Sequence, residues 1–222
     1  KNWLLDEARP FPQSPAAFGD FCAELLDGPA PAPYQTSDWP LPAAAPFEAP
    51  AEPYAVLHLG ASTPLKYWPA ERWLALADWL AAQGITPVWS AGVKELELVR
   101  EADPQGRYRS FGGQLDLPQL AQLLAKARLM VCPDTGVTHL ARITGVPTVA
   151  LFGPGSSLIS GAGQYWRDSP FTALSIDIAC RNQTNTFRRH ATWIQRCSRG
   201  FGPAAHQCAE ARCMQGITLK MV

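Results

Sequence analysis

Between Tyr54 and Phe152 the chain alternates short apolar runs with longer amphipathic ones, and few folds accept that alternation. Runs at 54–59, 85–90, 129–132 and 147–152, with a shorter one near 107–111, have the length and apolar character of buried strands. Between them, 69–82, 94–102, 117–127 and 136–144 repeat their apolar residues at helical spacing. Pro69 opens the first of these, with Trp73, Leu76, Ala77 and Leu80 along one face. Asp116 caps the third, whose apolar face is Leu120, Leu123, Leu124 and Ala127. Strand and helix in strict turn predict an α/β fold: a Rossmann-like, doubly wound, mostly parallel sheet.

The flanks differ in character. Ser14-Pro15 predicts a helix to about Asp27, with Phe18, Phe21, Cys22 and Leu25 on one side. Residues 28–53 are crowded with proline among alanines and acids, which suits a linker better than a core element. The chain thus divides into an N-terminal helix with a Pro-rich linker, 1–53, and a domain at 54–222 with a basic, Cys-containing extension from about 156. From Arg181 onward, Arg181, Arg188, Arg189, Arg196, Arg199, Arg212 and Lys220 face one acid, Glu210. Cys180, Cys197, Cys208 and Cys213 share this stretch, with intervals of 16, 10 and 4 residues that lack the tight Cys-x-x-Cys knuckle of a zinc site.

Residues 129–154, LMVCPDTGVTHLARITGVPTVALFGP, carry the most chemistry. A strand, the turn Asp134-Thr135-Gly136, a helix and a second strand form a βαβ unit whose helix begins at the carboxyl edge of the sheet. Unpaired backbone N–H groups and the helix dipole make that edge an anion site. With Asp134 as cap, Thr135 and Gly136 present their N–H groups and His139 reaches back from the first turn. The loop Gly60–Tyr67 is a second phosphate cradle: Gly60 frees the backbone, Ser62 and Thr63 offer hydroxyls, and Lys66 offers a point charge. Two such loops at one edge suit a diphosphate. Glu95, beyond the next strand, is placed to accept from ribose hydroxyls, and Gly112-Gly113 to let a base approach the backbone. The sequence contains no Asp-x-Asp pair for a divalent metal. Charge on a departing diphosphate would then fall to Lys66, to the helix N–H groups and, if it is protonated, to His139.

Three ordered segments resemble one family. Asp134-Thr-Gly-x-x-His139-Leu-Ala followed by Gly145-Val-Pro-Thr-Val-Ala-Leu-Phe-Gly-Pro154 resembles the donor-site signature of glycosyltransferase family 9, the ADP-heptose:lipopolysaccharide heptosyltransferases. His58-Leu-Gly-Ala-Ser-Thr-Pro-Leu-Lys66-Tyr-Trp-Pro69 resembles that family's second donor-side segment, and Ala91-Gly-Val-Lys-Glu95 its Gly-Gly-x-x-Glu turn. The resemblance implies the C-terminal, donor-binding half of a GT-B fold and an inverting transfer without bound metal. It implies donor binding by Ser62, Thr63, Lys66, Glu95, Asp134, Thr135, Gly136 and His139, with leaving-group stabilisation by Lys66 and His139. The family's general base, an Asp, belongs to an N-terminal acceptor domain, and nothing before Pro50 has βα character. No catalytic base is therefore expected within this chain.

Composition leaves room for this reading. Hydrophobic residues make up 47% of the 222, ample for a core, and the formal net charge of zero points away from nucleic acid. The implied partners are a nucleotide sugar and a phosphorylated lipopolysaccharide inner-core acceptor, which the basic stretch suits, with peripheral contact at the inner membrane. No leader-like apolar segment opens the chain, and the expected place is the cytoplasm. Two alternatives stand beside heptose transfer. One is a GT-B domain using a UDP- or GDP-linked donor; the other is a non-catalytic nucleotide-binding or interaction module.

Overall fold

The computed structural model describes residues 10–51, 53–186 and 188–222. A short helix α1 (Phe18–Ala23) precedes the proline-rich stretch. Then come β1 (Tyr54–His58), α2 (Ala70–Ala82), β2 (Thr86–Ser90), α3 (Leu96–Ala102), α4 (Leu117–Lys126), β3 (Leu129–Pro133), α5 (Gly136–Thr144) and β4 (Thr148–Phe152). A fifth strand, β5 (Phe171–Ser175), follows, then a two-residue hairpin, β6 (Asn185–Thr186) and β7 (Arg189–His190), and a last helical turn, α6 (Arg212–Gln215).

Strands β1 to β5 form one sheet in the order β2-β1-β3-β4-β5, with every pairing parallel. Alternate residues of each strand feed two cores. Ala55, Leu57, Trp89, Val131 and Leu151 meet α2, α3 and the C-terminal Met214 and Ile217 on one face. Tyr54, Val56, Val88, Met130, Cys132, Ala150 and Phe152 meet α4 and α5 on the other. Burial on both faces explains why β1 reads as an unbroken apolar run. The doubly wound sheet is thus as expected.

Three elements depart from the sequence reading. The strand near 107–111 takes the form of a single bridge, Trp89 with Ser110, because Asp103 gathers the turn before it. That carboxylate accepts from the indole of Trp89 and from the backbone N–H groups of Arg107 and Tyr108. The helix expected to reach Asp27 ends at Ala23, leaving Leu25 56% exposed; no residue of α1 is buried to hold another turn. Strand β5 was not expected. It lies inside the segment assigned to the extension, so that segment contributes to the sheet before it leaves it. Among its described residues the proline-rich stretch has one 3-10 turn, Thr36–Asp38, and runs over α4 and α5. Pro42 and Ala45 carbonyls accept from Gln122 and Gln119, and the buried Tyr34 donates its hydroxyl to the Ile143 carbonyl at 2.9 Å.

In a sheet of order 2-1-3-4-5 the chain winds outward in opposite directions from β1 and β3, so their carboxyl ends open a crevice. The loops Gly60–Tyr67 and Asp134–Gly136 leave from those two ends.

Candidate donor-binding site

Lys66 ends a 3-10 turn, Pro64–Lys66, which Thr63 begins by accepting from Leu65 N–H. The chain is anchored on both sides of the lysine: Leu65 is buried, and Trp68 is 3% exposed with its indole donating to the Ile217 carbonyl at 2.7 Å. Trp73 meets the Trp68 ring edge-to-face at 5.0 Å. With its base held, the Lys66 side chain crosses the crevice. Its ammonium donates to the Asp134 carbonyl at 2.7 Å and to Asp134 Oδ2 at 2.9 Å. Two of its three N–H bonds are thereby used, and one is left for a ligand.

The ion pair changes the role assigned to Asp134. The cap of α5 is Thr135 and not Asp134, because Lys66 draws the carboxylate away from the helix N–H groups. Thr138 completes the helix start: its buried hydroxyl accepts from Thr135 N–H at 3.2 Å and donates to the Pro133 carbonyl at 2.9 Å. A Cβ on Gly136 would meet nothing within 4 Å, so the first turn of α5 faces open space. A Cβ on Gly155, after β4, would lie 2.5 Å from Asp134 Oδ2. Gly155 therefore makes room for the carboxylate, a part the sequence reading missed although Gly-Pro-Gly-Ser at a strand end is a visible signal.

His139 is solvent-exposed on the first turn of α5. Desolvation, then the nearby Arg142 and Lys66 charges, push its pKa below the ordinary imidazole value, with Asp134 pulling the other way. The free site therefore favours the neutral ring, and the condition set on His139, that it be protonated, is not helped by its own surroundings. A bound diphosphate supplies the negative charge that reverses this.

Glu95 stands on the β1–β2 side of the crevice. Its Oε2 accepts from Gly92 N–H at 3.0 Å and would be 1.8 Å from a Cβ at residue 60. Gly60 is thus required by the carboxylate above it. Ser62 is exposed and Thr63 half-buried at the mouth. Gly112 and Gly113 do not open toward a ligand, since Leu96 and Val93 fill the space their missing side chains leave. Beneath the loops, His58 and Ser90 end adjacent strands and share a buried Nδ1···Oγ hydrogen bond of 3.0 Å.

A cavity of about 290 Å³ continues from Lys66 and Asp134 along the 154–160 loop to Arg196 and Arg199. A neighbouring one of about 310 Å³ is lined by all four tail cysteines, Cys180, Cys197, Cys208 and Cys213, each a free thiol. Among the described residues no three His, Cys, Asp or Glu are grouped to hold a metal ion.

The sequence profile of glycosyltransferase family 9 (heptosyltransferase) matches residues 20–185. The chain belongs to glycosyltransferase family 9. Lipopolysaccharide heptosyltransferase 1 of Pseudomonas aeruginosa is 33% identical over 148 residues, which are 63% of this chain and 39% of that protein. Lipopolysaccharide heptosyltransferase 2 of Salmonella typhimurium is 31% identical over 99 residues, 42% of this chain and 28% of that protein. The chain thus spans well under half the length of the curated relatives it matches. Among solved structures, a family 9 glycosyltransferase from Veillonella parvula superposes with a TM-score of 0.50 at 28% identity, covering 55% of this chain and 35% of that one. Escherichia coli ADP-heptose lipopolysaccharide heptosyltransferase II gives 0.55 at 22% identity, covering 76% and 44%, and so shares the fold. No helix among the described residues is long and apolar enough to cross a membrane.

Proposed function

We propose that this chain is the nucleotide-sugar-binding half of a heptosyltransferase that acts on the lipopolysaccharide core. The observation that carries the reading is the meeting of Lys66 with Asp134 at the open N-terminus of α5, in the crevice between β1 and β3. A diphosphate laid there meets the free N–H of Lys66, the N–H groups of the first turn and His139, while Glu95 across the crevice accepts from the ribose. We take the donor to be ADP-heptose, in keeping with the relatives' names. The general base, and the groups that hold the acceptor's reacting hydroxyl, belong to parts of the enzyme outside the matched half.

In the transfer, the acceptor hydroxyl attacks the anomeric carbon and the bond to the diphosphate oxygen breaks, with inversion. The chain's task is to hold the growing negative charge of the leaving nucleoside diphosphate. Lys66, the backbone N–H groups and a His139 that gains a proton as that charge appears perform it, in a reading that calls on no divalent ion. The basic stretch beyond Arg181 faces the anionic acceptor and the membrane that carries it.

Calorimetric titration with ADP, UDP and GDP tests this. ADP should bind, and Asp134→Ala should weaken it at least tenfold. Preference for UDP or GDP overturns the donor. Binding that is indifferent to Asp134 overturns the site.

A further inference from the structure

The cavity beside the donor crevice has a second cationic wall that the donor reading does not use. Lys66, Asp134, Ser156, Ser160, Arg196 and Arg199 all line it, three cations against one carboxylate. Among the described residues no carboxylate lies within ion-pair distance of either guanidinium. Arg196 Nη1 donates to the buried Thr186 hydroxyl at 3.1 Å. Arg199 donates to the Cys180 carbonyl at 2.6 Å, to Asn182 Oδ1 at 3.3 Å and to the Cys197 thiol sulfur at 3.5 Å. All of these acceptors are neutral, so the positive charge is held in place without being compensated. Such an arrangement favours a phosphate or a carboxylate.

The wall is fixed, though it lies in a tail with little regular structure. Arg196 pairs with Gln183 through both backbone hydrogen bonds, 3.1 and 3.2 Å, and the Cys197 N–H donates to the Pro154 carbonyl at 2.9 Å. Behind them lies Arg181, 9% exposed. Its guanidinium donates to the carbonyls of Gly155, Ile176 and Gln195, so it clamps the loop after β4 to the segment that carries Arg196. A buried cation used as a brace keeps the two half-buried ones at the cavity.

We infer that Arg196 and Arg199 form a second anion subsite, next to the diphosphate site, for a phosphate or carboxylate carried by the acceptor. The inference rests on the donor reading for what lies beside it, but its own observations are the unpaired guanidinium charges and the cavity they share with Lys66. The helix N-terminus and Lys66 serve the donor from the β1–β3 side. The arginines approach from beyond β4, where a second anion stands next to the transfer site.

The test titrates the 15N-labelled chain with inorganic phosphate at constant ionic strength, with and without saturating ADP, by amide chemical shifts. Phosphate should move amides within 155–160 and 183–199 while ADP stays bound. Arg196→Gln should weaken phosphate about tenfold and leave ADP within twofold. Arg196→Lys, which keeps the charge and shortens the reach to Thr186, should recover at least half of the lost phosphate binding. A tail disturbed merely by losing the Thr186 contact would show no such recovery, and that result would overturn the subsite. Competition between phosphate and ADP, or an equal loss of both in Arg196→Gln, would assign the arginines to the diphosphate instead. Absence of phosphate binding to the wild-type chain also overturns the inference. Arg196-dependent phosphate binding without any ADP binding would sustain the subsite and remove the donor reading.

Discussion

Protonation of His58 should set the acid limit of this domain. The imidazole ends β1 beneath the Gly60–Tyr67 loop, 5% exposed, with Ser90 Oγ at 3.0 Å from Nδ1 and, among the described residues, no carboxylate paired with it. Burial lowers its pKa from 6.5 to about 4. In the unfolded chain the ring takes up a proton near 6.5, whereas in the fold it resists until about 4. The stability this contributes is therefore complete above pH 6.5 and is lost as the pH falls toward 4. Integrating the linkage puts the loss near 2 kcal/mol at pH 5.0 and near 3 kcal/mol once the folded pKa is passed. Urea denaturation of wild type and His58→Gln at pH 7.5 and pH 5.0 isolates the term, because other titrating groups are common to both proteins. Wild type should lose about 2 kcal/mol more than the variant between the two pH values. Equal losses, with unchanged denaturant slopes, would refute the reasoning: the ring would then either reach water or find a partner for its proton.

Other expectations concern the site. ADP binding should take up a proton near neutral pH, since His139 starts below its ordinary pKa and gains an anion; calorimetry in buffers of different ionisation enthalpy measures this, and His139→Gln should abolish it. Affinity should accordingly rise as the pH falls through 7. Gly60→Ala should push the Glu95 carboxylate off Gly92, at a cost of about 1.5–3 kcal/mol for a charged hydrogen bond, whereas in a Glu95→Ala background, where that bond is already absent, Gly60→Ala should cost little in thermal unfolding. Lys66→Met should weaken ADP at least tenfold and leave the fold intact, whereas Trp68→Ala should lower both, because the indole holds the loop to Ile217.

The elements legible from the sequence are those whose pattern follows from burial on two faces. Tyr54–Leu57 and Leu129–Cys132 are near-continuous apolar runs, and α4 announces itself with Asp116 and a regular stripe. Strand β5 escaped notice because it is an edge strand, partly exposed, and Phe-Thr-Ala-Leu-Ser has neither a continuous apolar run nor a clean alternation. The site was legible in its members more than in their roles. Asp134, Thr135 and Thr138 all offer capping chemistry within one turn. Which of them caps depends on Lys66, which comes from 68 residues away. Arg196 and Arg199 were visible as excess charge, but the loop they face is set by Arg181, Gln183 and Pro154, and no local pattern encodes that path.

The Ile217 carbonyl accepts from both the Trp68 indole and Arg72, across 149 and 145 residues of sequence. The loop that carries Lys66 is therefore synthesised well before its latch. On the ribosome strands β1 to β5 can assemble with this loop still unfastened, and the crevice acquires its final shape once Ile217 has emerged and its carbonyl has closed over Trp68 and Arg72. The shape of the crevice is in that sense a report on chain made 149 residues downstream of Trp68.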